Sequence, residues 1–255
     1  MQAKTNDLLW TAAELPPRCY YRALTSKVGV ESLQGLPIEE HRASIEAAVK
    51  GHQVTGIKSP TASGKTTQVP TFMREVLVRP PGQRQWHPAV VVVEHAIIAA
   101  EKVVDDLVNV FGVDRSVIHL RTGQHDRDRF VAGETRLSVI TYGILWRWLT
   151  GIETDRDRSP IRRYAGIFLD EFADLKPKQE EMAHILGGML RTKELPIETR
   201  LVLASSALRL EEVEQLFGAN CGFVLITSRS IFFSYLTIYL CACIMLRARA
   251  HGARS

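Results

Sequence analysis

Two segments of this sequence carry the residue types that bind and cleave a polyphosphate. The first is a turn of small and hydroxylated residues that ends in Gly64, Lys65 and Thr66. The second is an apolar run that ends in the adjacent acids Asp170 and Glu171. A lysine can neutralise phosphate oxygens, a hydroxyl and a carboxylate can hold Mg²⁺, and a second carboxylate can orient and deprotonate a water molecule. The two segments together predict a site for a nucleoside triphosphate with its Mg²⁺ ion.

The first segment has the form of a Walker A loop, GxxxxGK[ST], with serine in place of the first glycine. Backbone N–H groups of such a loop wrap the phosphates at the start of a helix. We predict that nine consecutive residues bind the nucleotide: Ser59, Pro60, Thr61, Ala62, Ser63, Gly64, Lys65, Thr66 and Thr67. Glycine permits backbone conformations that serine resists, so we expect Ser59 to stiffen or reshape the loop. A chance GKT in a turn is the alternative.

The second segment, GIFLDE, has the form of a Walker B strand. Asp170 is predicted to hold Mg²⁺ together with Thr66, while Glu171 activates water and Lys65 stabilises the reacting phosphate. Taken alone, a strand followed by a solvated acidic turn is the commoner explanation. Two motifs in the expected order, each on the expected kind of element, favour the ATPase interpretation.

The elements that must position these residues alternate along the chain. A short amphipathic helix is predicted over residues 39–50, and another helix, at AIIAAEKVVDDLVNVFG, is predicted to end in Gly112. Apolar runs suited to strands occur at VTGIK, AVVVVEH, SVIHL, LSVIT, AGIFLD and RLVLAS, and helical spacing follows most of them. This alternation predicts an α/β fold with a mostly parallel sheet and helices on both faces.

Several motifs resemble those of DEAH/DExH-box helicases of superfamily 2. The segment LPIEEHRASIEAAVKGHQVTGIKSPTASGKTTQVP is similar to the family's first helix, strand and P-loop, and DEFA resembles the DEAH box, with Ala173 in place of its histidine. TYGIL, followed by Arg147, resembles the TxGxLLR motif, and SSAL lies where the family has SAT-Leu. FVLITSRSIFF resembles a degraded form of the strand that leaves the domain, so the resemblance covers about residues 34–233.

The resemblance implies a RecA-like P-loop domain, the first motor domain of an ATP-dependent RNA helicase. Thr141 and Gly143 would contact the RNA backbone, and Ser205 and Ser206 would couple hydrolysis to RNA binding. ATP and Mg²⁺ are the implied cofactors, and single-stranded RNA bound without sequence preference is the implied partner. The domain would occupy residues 34–228, after an N-terminal arm of residues 1–33.

Departures from the family pattern predict a weakened motor. The segment EHAIIAA takes the place of QPRRVAA, so Ala96 and Ile97 stand where paired arginines would grip RNA phosphate. Nothing in the remaining chain resembles the second motor domain or its QxxGRxGR arginines, and an arginine supplied in that way is worth about 10³ to 10⁵ in rate. We expect a truncated helicase that binds nucleotide better than it hydrolyses it. A pseudo-helicase that scaffolds partners is the competing hypothesis.

Bulk composition is that of an ordinary globular protein, with 45% hydrophobic and 24% charged residues. The net charge of +4 permits a polyanionic partner without requiring one. Four cysteines without a CxxC pair favour a reducing compartment, the cytoplasm or the nucleus, over a disulfide framework or a zinc site.

Residues 229–255 form a tail of different composition, in which the run from Ser230 to Leu246 is uncharged and is bracketed by basic residues. Three interpretations remain open. The run could be a membrane span, which needs about 20 apolar residues; a strand and linker that packs on a further domain; or a sequence that has left its ancestral frame. We favour the last, because the resemblance stops near residue 233, and we do not favour the membrane.

Overall fold

The computed structural model describes residues 36–77, 89–123, 130, 135–153, 160–172, 177–218 and 220–227. Within these residues the strands are β1 (Val54–Lys58), β2 (Ala89–Glu94), β3 (Ile118–Arg121), β4 (Leu137–Thr141), β5 (Tyr164–Asp170), β6 (Arg200–Ser205) and β7 (Cys221–Leu225). The α-helices are α1 (Pro37–Glu40), α2 (Arg42–Gly51), α3 (Lys65–Val76), α4 (Ile97–Asn109), α5 (Tyr142–Leu149), α6 (Pro177–Arg191) and α7 (Leu210–Phe217). Short 3₁₀ turns precede β3 and β5, at Arg115–Val117 and Pro160–Arg163.

The strands form one sheet in the order β3-β4-β2-β5-β6-β1-β7. Every pairing between them is parallel. The carboxyl ends of parallel strands meet at the same edge of a sheet, where ligands of α/β proteins bind. The strand that precedes the predicted P-loop, β1, is separated from the strand that ends in the two acids, β5, by β6 alone.

Helices cover the sheet on both faces. α2, α3 and α4 pack on one face, and α5, α6 and α7 pack on the other. The central strands β2 and β5 are buried along their whole length, which explains their nearly continuous apolar sequences. The predicted α/β fold, with a parallel sheet between two helical layers, is confirmed, and each predicted strand forms.

The core beneath α5 and α6 is built around two large aromatic side chains. Trp148 is stacked on Tyr164, with ring centroids 5.9 Å apart, and both are almost fully buried. The Tyr164 hydroxyl donates a hydrogen bond of 3.0 Å to Ser138 Oγ. This bond lies at the amino end of β5, the end opposite Asp170.

Two helix boundaries differ from the sequence prediction. The helix expected over residues 39–50 is divided at His41, whose backbone dihedrals of −101° and 5° separate α1 from α2. The helix expected to end in Gly112 ends at Asn109, and Gly112 adopts a φ of +65° in the turn that follows. Gly112 therefore acts as the terminating residue beyond the helix rather than as its last residue.

Gly166 lets α3 lie close against β5. A Cβ atom at Gly166 would lie 2.9 Å from Met73 Cε and 3.0 Å from Val90 Cγ2, so a larger residue would displace at least the Met73 side chain of α3. The close approach holds the helix that begins with Lys65 against the strand that ends in Asp170.

Among the described residues, no helix is both long and apolar enough to cross a membrane. The predicted arm, residues 1–33, and the predicted tail, residues 229–255, lie outside the described residues.

Candidate nucleotide site

The loop that joins β1 to α3 occupies the place predicted for the phosphate-binding loop. Gly64, the residue before α3, adopts a φ of +92°, which a side chain disfavours. A Cβ atom at Gly64 would also lie 2.8 Å from Leu36 Cδ1 and 3.1 Å from Ile38 Cγ2. The Ile38 N–H group donates to the carbonyl oxygen of Ser63 at 3.3 Å. The segment that leads into α1 thus braces the loop, and only glycine fits at position 64.

Ser59, the residue in place of the first Walker A glycine, is held by two hydrogen bonds. It is buried and has no positive φ; its Oγ accepts a hydrogen bond of 3.0 Å from Ser63 Oγ, and its N–H group donates to the Ser205 carbonyl oxygen at 3.2 Å. The residue in the left-handed region is Ala62, with a φ of +61°. The sequence did not indicate Ala62, because the Walker A pattern leaves position 62 unconstrained.

Four predicted site residues from the two motifs meet at the carboxyl edge of the sheet. Lys65 Nζ lies 2.7 Å from Glu171 Oε1 and 4.0 Å from Asp170 Oδ1. The Thr66 hydroxyl donates a hydrogen bond of 2.6 Å to Asp170 Oδ2. We call Lys65, Thr66, Asp170 and Glu171 the nucleotide cluster.

The chemistry of the nucleotide cluster suits a divalent cation. Asp170 is buried, and its Oδ1 has no hydrogen-bond partner among the described residues. Burial raises the pKa of Asp170, an effect that the Lys65 charge and the Thr66 hydrogen bond oppose. Mg²⁺ takes oxygen ligands and is usually held by one or two carboxylates together with substrate phosphates and water. Thr66 and Asp170 fit that requirement, and no cage of three or more acidic, histidine or cysteine ligands exists within the described part of the chain.

Glu94 is a third acid beside the nucleotide cluster, and the sequence analysis assigned it no role. Val93 pairs with Leu169, so Glu94 and Asp170 are the next residues along the two neighbouring strands. Burial, followed by the charge of Asp170, raises the pKa of Glu94 to about 9, although Lys65 opposes the rise. Glu94 therefore carries a proton at neutral pH. The available signal was an acid that ends an otherwise apolar strand, the same pattern that identified Asp170.

The predicted RNA-contacting residues Thr141 and Gly143 lie at the start of α5, on the same edge of the sheet. Thr141 ends β4 opposite Glu94 on β2. Gly143 is exposed, and the nearest atom to a Cβ built there would be Thr141 Oγ1 at 3.9 Å. Arg147, one turn later, is 48% exposed and lies 3.7 Å from Glu153.

Between Thr141 and Gly143, the Tyr142 side chain points into the interior. Its hydroxyl donates a hydrogen bond of 3.0 Å to the carbonyl oxygen of Asp170. Burial, followed by the nearby carboxylates, raises the pKa of Tyr142 well above its usual range, so the hydroxyl keeps its proton. The TxG pattern leaves this position unspecified, so sequence analysis did not identify Tyr142.

Of the predicted coupling residues, Ser205 is the last residue of β6 and Ser206 follows it. Ser205 is buried, and its carbonyl oxygen accepts from Ser59 in the P-loop; Ser206 is exposed. One residue earlier, the Ala204 carbonyl oxygen accepts a hydrogen bond of 3.1 Å from the Phe172 N–H group, just after Glu171. The end of β6 therefore contacts both predicted nucleotide motifs. Ala173, the residue in place of the DEAH histidine, lies outside the described residues.

Comparisons with known proteins agree with this geometry. The family model described as DEAD/DEAH box helicase matches residues 39–216. Human ATP-dependent RNA helicase DHX29 is 26% identical over 228 residues, covering 84% of this chain and 15% of that protein. The probable ATP-dependent RNA helicase DHR2 of Saccharomyces cerevisiae is 24% identical over 201 residues, covering 78% of this chain and 25% of that protein. The chain thus spans a quarter or less of the length of these relatives.

A solved structure shows the same fold. The DEAH/RHA helicase HrpB of Escherichia coli is similar with a TM-score of 0.58 at 20% sequence identity, covering 77% of this chain and 23% of that one. The likeness confirms the predicted RecA-like arrangement of the sheet and its helices.

Proposed function

Because the chain belongs to the DEAD/DEAH box helicase family, we propose that it is the ATP-binding motor domain of an ATP-dependent RNA helicase. The observation that carries the proposal is the convergence of the nucleotide cluster. Lys65 and Thr66 are bonded to Glu171 and Asp170 at 2.7 and 2.6 Å, although 106 and 104 residues separate the partners in the sequence. A parallel sheet brings such distant residues together at the edge where ligands bind.

In the proposed reaction, the P-loop backbone from Ser59 to Gly64 and the start of α3 bind the phosphates, and Lys65 neutralises charge on the β- and γ-phosphate oxygens. Thr66 and Asp170 would hold Mg²⁺, which when bound neutralises further negative charge on those oxygens. The buried Asp170 Oδ1, which has no hydrogen-bond partner among the described residues, supports this assignment.

Glu171 is the proposed group that orients and deprotonates the attacking water. Its side chain is 34% exposed, so a water molecule can reach it, and its carboxylate is paired with Lys65. Phosphate binding at Lys65 would compete with that pair. Separation of the pair would leave the Glu171 carboxylate available as a base, so the geometry links substrate binding to activation of the base.

RNA is the proposed partner, bound as a single strand without base specificity across the starts of α4 and α5. A second RecA-like domain is the proposed partner that completes the ATP site, since added arginine residues raise phosphoryl-transfer rates by about 10³ to 10⁵. RNA as substrate agrees with a cytoplasmic or nuclear location.

The proposal is tested by steady-state ATP hydrolysis on the intact chain, with and without single-stranded RNA. Lys65→Ala and Glu171→Gln are compared with Lys178→Ala and Glu181→Gln, which alter exposed residues of α6. We expect the cluster variants to lose about 10² or more in rate and the α6 variants to match the wild type.

Equal rates in the wild type and both cluster variants would remove the enzyme claim. The competing hypothesis, a nucleotide-binding scaffold, makes a different prediction for calorimetry. It requires tight ATP binding by the wild type, abolished in Lys65→Ala, without turnover in the presence of RNA.

A further inference from the structure

The backbone around Glu171 is held by hydrogen bonds on both sides. The carbonyl before it, of Asp170, accepts from Tyr142 Oη at 3.0 Å, and the N–H group after it, of Phe172, donates to Ala204 at 3.1 Å. Glu171 itself has a φ of +50°, a conformation that a glutamate rarely adopts. A strained turn persists only when its surroundings determine it, and these two bonds lie directly on either side of Glu171.

The Tyr142 bond joins two elements with different proposed tasks. Tyr142 is the first residue of α5 and lies between Thr141 and Gly143, the residues predicted to contact RNA. Its acceptor lies in the peptide that connects the proposed Mg²⁺ ligand, Asp170, to the proposed base, Glu171. No intervening residue is needed, because the hydroxyl reaches the Asp170 carbonyl directly.

The dense packing around Tyr142 means that a movement of the start of α5 should move the tyrosine side chain as well. Only 7% of Tyr142 is exposed, and Ile144 and Leu145, which follow it on α5, are buried in the same core. Close-packed interiors transmit small shifts, because they contain little free volume. A shift at the start of α5 would therefore move the tyrosine ring and its hydroxyl together.

We propose that Tyr142 is a positioning residue that couples nucleic-acid contact at the start of α5 to the orientation of the Asp170–Glu171 peptide. The inference rests on the proposed function and adds a route by which RNA binding would regulate the nucleotide site. Tyr142 acts through the Asp170 carbonyl and contacts neither ATP nor RNA with its hydroxyl.

The test is a thermodynamic cycle on the intact chain that does not depend on turnover. The dissociation constant of a fluorescent, non-hydrolysable ATP analogue with Mg²⁺ is measured with and without a saturating oligouridine strand. The variants are Tyr142→Phe and Tyr164→Phe. Tyr164 is another buried tyrosine, whose hydroxyl is bonded at the opposite end of β5, so this control removes the same atom.

We expect RNA to change the nucleotide dissociation constant of the wild type and of Tyr164→Phe by about fivefold or more, the usual range for coupled sites. In Tyr142→Phe, the nucleotide dissociation constants with and without RNA should differ by less than about twofold. The dissociation constant measured without RNA should stay within about twofold of the wild-type value. A general structural defect would instead weaken nucleotide binding without RNA and would lower the binding stoichiometry.

Three outcomes would overturn the inference while leaving the proposed function intact. The first is a Tyr142→Phe variant in which RNA changes the nucleotide dissociation constant as much as in the wild type. The second is an effect of RNA that is lost equally in Tyr164→Phe. The third is a wild type that binds nucleotide with the same dissociation constant with and without RNA. A wild type that binds no nucleotide would instead refute the proposed function, and the inference with it.

Discussion

The carboxyl edge of the sheet holds two regions of opposite chemical character. In the nucleotide cluster, Lys65 is nearly buried, and each charge has an oppositely charged or hydroxyl partner. The second region, which we call the helix-start surface, consists of residues 96–98 at the start of α4 and residues 141–143 at the start of α5. Its most prominent side chain is Ile98, which is 77% exposed, and the nearby Arg147 lies beside the carboxylate of Glu153.

The difference shows that one fold can place strand ends and helix starts at two regions while only one region carries the charges expected of a phosphate site. Strand ends and helix starts are present at both regions, because the parallel sheet generates them. The charges that would hold a triphosphate under the proposed function are present in the nucleotide cluster. The helix-start surface lacks cations at positions 96–98, and phosphate contacts supply most nonspecific affinity for nucleic acids. RNA binding by this surface should therefore be weak and should depend little on salt.

The largest effect that we predict concerns the cost of burying a third acid, Glu94, beside the nucleotide cluster. Because the pKa of Glu94 is raised to about 9 from its ordinary 4.5, the folded state holds a proton that the unfolded state releases across that window. The free energy of unfolding should therefore fall as pH rises from about 4.5 to about 9, by up to about 1.4 kcal/mol per pH unit from this group. Glu94→Gln should remove that component.

The measurement is urea unfolding of the wild type and Glu94→Gln between pH 5 and pH 8, without nucleotide or Mg²⁺. The variant should gain stability over the wild type as pH rises, because glutamine cannot lose a proton. Glu181→Gln, at an exposed position of α6, is the control and should follow the wild type. Parallel curves for Glu94→Gln and the wild type would show that Glu94 titrates normally, and the contrast between the two regions would lose its electrostatic basis.

A second prediction restores a cation to the helix-start surface. Ile98→Arg places a guanidinium on an exposed position in the first turn of α4, and Ile197→Arg does the same at an isoleucine 69% exposed, shortly before β6. Each additional phosphate contact to a single strand should steepen the dependence of log K on log salt by about 0.7. We expect Ile98→Arg to bind oligouridine about three- to tenfold more tightly at low salt, an advantage that falls as salt rises.

Ile197→Arg adds the same charge at the amino end of a strand, away from the edge where ligands bind. Fluorescence anisotropy titrations at several salt concentrations would compare the two variants with the wild type. An equal gain in oligouridine affinity in both variants would show that the effect comes from net charge. The helix-start surface would then have no particular role in RNA binding.

The comparison also explains which features the sequence could predict. The alternation of strands and helices, and the positions of Lys65, Thr66, Asp170 and Glu171, follow from local patterns, because each motif is contiguous and ends a strand or begins a helix. The contributions of Tyr142 and Glu94 depend on register between strands, which joins residues far apart in the chain. The conformation of Ala62 is equally hidden, since the Walker A pattern accepts any residue there. Motifs thus identify the ligand-binding atoms, whereas the supporting contacts require the assembled sheet.

The smallest effect that we predict concerns the strained backbone of the P-loop. It tests whether that strain helps the site to bind nucleotide. Ala62 and Lys193 are both exposed and both have positive φ, at +61° and +58°. Replacement of either residue by glycine relieves a left-handed conformation that costs about 1 to 2 kcal/mol. Glycine also gives the unfolded chain more conformational entropy, which cancels part of that gain in stability. Each variant should therefore gain about 0.5 to 1 kcal/mol in the free energy of unfolding.

The two variants should differ in nucleotide binding, because only Ala62 lies in the loop that we propose to wrap the phosphates. Glycine at position 62 frees the loop to sample other conformations, and ordering it again on binding should weaken affinity for the ATP analogue by about two- to fivefold. Stability and affinity would then change in opposite directions for Ala62→Gly, whereas Lys193→Gly would change stability alone. An affinity that rises with stability in Ala62→Gly would show that the left-handed alanine hinders the site, and that strain in this loop does not preorganise it.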